Sequence, residues 1–323
     1  YYKLKVFTLY YASMTSFMLK LYSIIFTMLD ERQKVLIVGG GFGGVKAALD
    51  LADDHRFDVT LISNEAELRY YPTLYHTATG GRRANSSIPL SVIFQSKRLV
   101  IVKDTAVSLD KKARTLTTES KKVYPYDTLI LALGVVTNYF GIPGLDKFSF
   151  SIKSQSEVER LKKHLHDQLT ADHKPDLNYL IVGAGPTGIE LAGSLPSYVS
   201  RTMKSHGLPI RKVHIDLIEA APKLLPRLPK DTSRRVARQL KRLGIKILTG
   251  SVVQGETADS LMVNGKPIQS HTVIWTAGVT NNPFFSSNGF SIMNHGKVAV
   301  DVYLKADDNI YVIGDNANTP YSD

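Results

Sequence analysis

Short, mostly apolar runs alternate along this chain with longer segments whose apolar positions recur every three or four residues. Val35-Leu36-Ile37-Val38, Val59-Thr60-Leu61-Ile62, Tyr179-Leu180-Ile181-Val182 and Val213-His214-Ile215-Asp216-Leu217-Ile218 are of the first kind. So are 98–102, 127–133, 245–248, 272–276, 298–302 and 310–313. A strand that is apolar on both faces must be covered on both faces, so these runs predict parallel strands. Segments 42–54, 154–169, 187–204 and 231–243 predict the helices that cover them. The chain therefore reads as α/β, with its strand–helix–strand order occurring twice.

Each repeat carries a glycine turn between its first strand and first helix. Gly39-Gly40-Gly41-Phe42-Gly43-Gly44 is the first, and Gly183-Ala184-Gly185-Pro186-Thr187-Gly188 follows 144 residues later. Both read G-x-G-x-x-G. The first glycine permits the tight turn and the second lets backbone approach a pyrophosphate. The third lets helix pack on strand, with the phosphate at the helix N-terminus. One copy is a weak signal. Two copies in the right context imply two dinucleotides in one protein, and the direct use of such a pair is to pass electrons between them.

An acid about 20 residues past the glycines normally binds the adenosine 2′-OH. In the second repeat Glu219 stands at that strand end, followed by Ala220 and with no Arg beside it, which favours NADH over NADPH. In the first repeat the strand ends at Ser63-Asn64 and the nearest acid is Glu65, so the carboxylate is displaced and Ser63 is left to bind the hydroxyl.

Composition narrows the chemistry. With 43% apolar and 21% charged residues over 323 positions, the chain can bury two cores. It has no cysteine, which excludes disulfide exchange, thiolate metal sites and a redox dithiol. The nine histidines show no metal-binding spacing, so no metal is expected. The net charge of +11 comes as scattered pairs such as Arg82-Arg83, Arg234-Arg235 and Lys241-Arg242. None is interleaved with aromatics, so nucleic acid is not the expected partner. A solvated helix face and attraction to an anionic membrane surface are the two readings of these pairs.

Both ends look abrupt. Residues 1–33 form an apolar extension, of which 1–27 are expected either to lie upstream of a start at Met28 or to serve as an N-terminal anchor. The strand at 310–313 would need a covering helix, yet the sequence stops at Asp323, so a C-terminal part is expected to be missing. The turn Gly141-Ile142-Pro143-Gly144 separates the repeats, and the late strands are expected to return to the first. The boundaries become 34–148 and 273–323 for one discontinuous domain and 149–272 for a domain inserted in it.

Stretches 35–44, 71–80, 126–144, 181–193, 217–226, 273–279 and 309–317 resemble the flavoproteins with two dinucleotide domains. Within these, the chain is similar to the type II NADH dehydrogenases, the NADH:quinone oxidoreductases. The resemblance implies two Rossmann-like domains, the NAD domain inserted into a discontinuous FAD domain. It implies FAD held at Gly39, Gly41, Phe42, Gly43 and Gly44, with Ser63, Glu65, Ala132, Gly134 and Asp315. NADH would be held at Gly183, Gly185, Pro186, Thr187 and Gly188, with Glu219, Ala277 and Gly278. Glu190 would face the region between nicotinamide and quinone as the catalytic acid, or be simply an acid near a helix start. A tyrosine-rich loop is expected over 69–76, and its Tyr71, Pro72, Tyr75 and His76 would pack near the flavin. The implied partners are a quinone and an anionic membrane surface reached through the missing C-terminal segment, with a homodimer left open. The implied place is the cytoplasmic face of the cell membrane, as a peripheral protein that pumps no protons. Two rivals stay open: a soluble reductase of a ferredoxin-like or small-molecule acceptor, and a flavin-bearing protein that senses NADH.

Overall fold

The computed structural model describes residues 32–170, 176, 178–209, 213–293 and 296–319. The extension expected over 1–27 lies outside these residues. Among the described residues no helix is long and apolar enough to cross a membrane.

The first sheet has six strands in the spatial order Lys305–Asp307, Ile310–Val312, Thr128–Leu131, Gln33–Val38, Phe57–Ser63, Val100–Lys103. All neighbours run parallel except the antiparallel edge strand Lys305–Asp307. The late strand thus joins the early ones, Ile310 opposite Leu129, so the first unit is completed by chain from beyond the second. Alternation decides which core each side chain enters. Val35, Ile37, Val59 and Leu61 pack with Val45 and Ala48 of the helix Phe42–Leu51. Leu36, Val38, Leu129, Leu131 and Val312 face the other way, onto Leu116, Tyr126 and Phe285.

The second sheet repeats the plan with four parallel strands in the order Lys246–Thr249, His214–Glu219, Asn178–Val182, Thr272–Trp275. Tyr179, Ile181, Ile215 and Leu217 pack under the helices Gln155–Thr170 and Pro186–Ser205, while Leu180, Val182, Ile218 and Trp275 face Leu145, Leu261 and Val263. In both sheets the strand order reverses beside the strand that carries the glycine turn. That reversal opens a crevice at the carboxyl ends of the strands.

The two crossings between the units pair with each other. Val135–Thr137 runs antiparallel to Val279–Asn281, and Trp275 Nε1 donates to the Asn138 carbonyl at 2.8 Å.

Two segments differ from expectation. Of the strand expected over 298–302 only Val298–Ala299 forms. Asp301 Oδ1 accepts from the N–H groups of Tyr303 and Lys305 at 2.8 and 2.9 Å, so the chain turns at Asp301 instead of running on as a strand. The tyrosine-rich loop is helical, with Tyr71–Thr73 a 3₁₀ turn carrying Pro72 at its start and Leu74–Ala78 an α turn. Leu74 and Ala78 enter the core of the second unit, and Thr79 Oγ1 donates to Ser194 Oγ at 3.3 Å.

One buried group sets a pH dependence of stability. Glu256 is 8% exposed and its Oε2 has no partner among the described residues, so burial pushes its carboxyl up from 4.5 to about 8. The folded state holds this proton where the unfolded chain releases it, so stability is fullest below pH 4.5 and falls as pH rises toward 8. Urea unfolding at pH 6 and pH 8 is expected to show the parent losing roughly 1–2 kcal/mol more than Glu256→Gln. Equal losses in the two proteins would show that Glu256 is not the titrating group.

Candidate functional site

The two glycine turns are built alike, and their glycines answer to two different demands. Gly39 and Gly183 have φ of +118° and +103°. A Cβ on Gly39 would lie 2.1 Å from the Ala132 carbonyl oxygen, and one on Gly183 would lie 2.6 Å from Ala277 Cα. The third glycine of each turn sits on the first: a Cβ on Gly44 or Gly188 would come within 1.8 or 1.9 Å of the Gly39 or Gly183 carbonyl oxygen. These four are fixed by the protein's own backbone. Gly41 and Gly185 are not. Their φ values of −83° and −74° suit any residue, and a Cβ on either would meet nothing within 4 Å. Each is the N-cap of its helix with no side chain capping the first turn. The space and the uncapped N–H donors are what a bound pyrophosphate would use, so both turns fit a dinucleotide.

Around the first turn lies a cleft of about 340 Å³. Gly39, Gly41, Phe42 and Gly43 line it with Ser63, Glu65, Ala132, Gly134 and Asp315, while Gly44 packs behind the turn. Ser63 is 3% exposed and lies against Gly40, where a Cβ would come within 2.4 Å of its Oγ. That oxygen accepts from the Glu65 N–H at 3.2 Å. The place where an acid was expected is therefore crowded by the turn, and the acid stands two residues on. Glu65 pairs with Arg69 at 3.1 Å, and Arg69 also donates to the Lys153 carbonyl at 3.0 Å.

Asp315 follows Gly314, whose φ of +72° makes the turn after the strand Ile310–Val312. Lys153 shares the cleft. Burial lowers its ammonium below the usual lysine range, opposed by the Asp315 carboxylate and then that of Glu157. Its Nζ lies 5.8 Å from the Tyr71 ring centroid, and the Phe42 and Tyr71 rings are 6.5 Å apart.

Two cleft residues, and one buried behind the cleft, escaped the sequence reading. Thr137 lines the cleft with its Oγ1 buried and without a partner among the described residues. Asn316, fully buried, accepts from the Gly134 N–H at 2.8 Å, donates to the Gly134 carbonyl at 2.7 Å and bonds Asn281 on the other crossing. Lys153 is the third. Of the aromatic-loop residues only Tyr71 lines the cleft: Tyr75 packs toward the second core, while Pro72 and His76 are exposed.

At the second turn, Glu219 Oε2 accepts from the Ala184 N–H at 2.7 Å and Oε1 from the Ala221 N–H at 2.9 Å. The carboxylate is thereby locked against the glycine turn. Pro186 opens the following helix, and Thr187 is its next residue. A Cβ on Gly278 would strike the Phe140 ring at 2.4 Å. Glu190 lies one turn into the helix, exposed, with no hydrogen-bond or ion-pair partner among the described residues, and partial desolvation raises its carboxyl above the usual range. It stands four residues before Ser194, on the helix face that meets Thr79, and does not line the first cleft.

Two open dinucleotide turns on two fused parallel sheets define the class: an oxidoreductase with two dinucleotide folds. The chain matches the pyridine nucleotide-disulphide oxidoreductases over residues 33–322. It is 30% identical to the type II NADH:quinone oxidoreductase of Staphylococcus epidermidis over 306 residues, covering 89% of this chain and 75% of that protein. The Staphylococcus aureus protein of the same name is 29% identical with the same coverage. The NDH2 of Plasmodium falciparum, solved in complex with NADH, superposes with a TM-score of 0.81 at 23% identity. That match covers 89% of this chain, which spans 65% of the solved one. The chain belongs to the pyridine nucleotide-disulphide oxidoreductase family and, within it, to the type II NADH:quinone oxidoreductases. Both glycine turns fit the dinucleotides that the resemblance implies, FAD and NADH.

Proposed function

We propose that the protein takes hydride from NADH onto FAD and delivers the electrons to a quinone without pumping protons. The observation that carries this reading is the pair of turns open at Gly41 and Gly185, one above each sheet, with their crossings tied together. The bound flavin would accept hydride from the nicotinamide and pass electrons onward, so the protein's task is to bind, orient and exclude water.

The residues divide that task. The N–H groups beyond Gly41 and Gly185 would hold the two pyrophosphates. Asp315 would accept from the ribityl chain, and Ser63 and Glu65 would meet the adenosine of FAD. Ala132, Gly134, Ala277 and Gly278 keep the strand ends small where the cofactors lie. Glu219 would accept from the adenosine 2′-OH of NADH. Glu190, with its raised carboxyl, keeps a proton to a higher pH than a surface glutamate and is the candidate to hand one to the acceptor. Residues 34–148 with 273–323 would form the FAD domain and 149–272 the NADH domain. A quinone acceptor would put the protein at a membrane, as a peripheral protein on the cytoplasmic face.

Purified full-length protein is expected to be yellow, to bleach on anaerobic addition of NADH and to recolour on addition of a soluble quinone. A protein that stays colourless after reconstitution with FAD, or whose flavin is reduced by NADH but not reoxidised by any quinone, would overturn the reading at the first or the last step respectively.

A further inference from the structure

The basic pairs are less scattered than they first read: residues 220–250 hold nine lysines and arginines against one acid, Asp231, so +8 of the net +11 sits in about a tenth of the chain. Folding does not disperse it. The helix Lys230–Arg242 buries Ser233 and Leu240, packs Val236 and Ala237 against the second core, and leaves Arg234, Arg235, Arg238, Lys241 and Arg242 exposed. Of the helix's cations, only Arg234 has a carboxylate partner among the described residues, Asp231 at 3.5 Å. Arg234, Arg238 and Arg242 stand four apart, a spacing at which like charges destabilise a helix. A solvated face needs no such excess.

Its position says what the charge is near. The loop leading into the helix folds back onto the second glycine turn, where the Leu225 N–H donates to the Ala184 carbonyl at 3.0 Å. The Ala184 N–H in turn donates to Glu219. Arg227 and Lys230, both exposed, therefore begin beside the proposed seat of the NADH adenosine, and the helix extends the charge from there over about 20 Å.

We infer that this face is an electrostatic funnel that captures NADH through its doubly ionised pyrophosphate and guides it to the Gly183–Gly188 turn. The inference rests on the proposed NADH site. A field of one sign beside a cleft raises the encounter rate of an oppositely charged ligand by about 10- to 1,000-fold. It acts on capture and leaves the hydride step alone. The reach of each charge depends on salt, because the Debye length is about 30 Å at 0.01 M and about 10 Å at 0.1 M. Charges at the far end of the helix should count only at low ionic strength, and those beside the turn at both.

The test is stopped-flow reduction of the flavin in the holoprotein, read as the second-order rate constant at low NADH. The far variant Arg235→Gln/Arg238→Gln/Lys241→Gln/Arg242→Gln is expected to lose about fivefold or more at 0.01 M ionic strength and to match the parent at 0.1 M. The near variant Arg227→Gln/Lys230→Gln is expected to lose rate at both. The limiting rate at saturating NADH stays at the parental value in the far variant. A far variant with the parental rate constant at 0.01 M overturns the inference. If that same variant no longer sediments with phosphatidylglycerol vesicles that hold the parent, the face belongs to lipid. Flavin that NADH fails to reduce in the parent itself would bring down the NADH site and the funnel together, a result distinct from either.

Discussion

Alanine at Gly41 is expected to leave the apoprotein folded and to strip it of flavin. The φ of −83° at Gly41 suits alanine, and the added methyl meets no protein atom within 4 Å, so the cost to the fold is that of an altered helix cap, about 1 kcal/mol or less. The methyl would occupy the space in front of the helix N-terminus where a pyrophosphate has to come into contact with backbone N–H groups. Affinity for FAD should fall at least tenfold, about 1.4 kcal/mol or more. Gly185→Ala should do the same to NADH, raising KM at least tenfold while the flavin stays bound. Gly44→Ala supplies the contrast. Its methyl would sit 1.8 Å from the Gly39 carbonyl oxygen, so turn and helix must separate and stability must fall with binding. Flavin absorbance after purification and thermal unfolding of the apoproteins separate these cases. A Gly41→Ala protein that binds FAD as tightly as the parent would mean that the open space serves something else.

That contrast also shows which parts of the molecule were legible in the sequence. Both sheets were, because a strand covered on both faces must be an unbroken apolar run, and Val35–Val38 and Tyr179–Val182 are such runs. The glycine turns were legible because the demand on Gly44 comes from Gly39, five residues away, and the same holds for Gly188 and Gly183. The return of the strand Ile310–Val312 to the first sheet followed from counting strands against the repeat. What stayed hidden depends on partners far apart in the chain. Asn316 looks like an ordinary residue after an Ile-Gly-Asp turn, and its hold on Gly134 crosses 182 positions. Lys153 precedes a surface helix and reaches the cleft only because that helix docks beside Tyr71. The helix Leu74–Ala78 is apolar toward a core that belongs to the other unit, so its own segment reads as a loop. The strand expected over 298–302 is cut short by a local feature that alternation does not register, a turn that the Asp301 side chain closes onto the N–H groups of Tyr303 and Lys305.

NADH is expected to outperform NADPH by tenfold or more in kcat/KM, and Glu219→Gln to narrow that gap to a few-fold. Glu219 is held at both oxygens, by the Ala184 N–H at 2.7 Å and the Ala221 N–H at 2.9 Å, so it cannot swing away from an incoming adenosine. An oxygen so held still has a lone pair to accept from a 2′-OH, but meets a 2′-phosphate as like charge against like charge. A tenfold preference corresponds to about 1.4 kcal/mol, a modest demand on one carboxylate facing a dianion. Glutamine keeps the size and one acceptor oxygen, so the turn at Ala184 should survive and the change should report on charge. Glu219→Ala is the harsher variant: it frees the Ala184 N–H as well, and should cost NADH binding along with selectivity. The basic residues nearby pull the other way, because Arg227 and Lys230 attract the more highly charged NADPH more strongly. Raising the salt concentration screens that attraction, while the contact at Glu219 is close enough to persist, so the preference for NADH should widen with ionic strength. Steady-state kcat/KM for both donors, measured in parent and Glu219→Gln at two ionic strengths, resolves the two effects. Equal values for NADH and NADPH in the parent at both would remove Glu219 from the adenosine site and leave its two backbone bonds as its whole role.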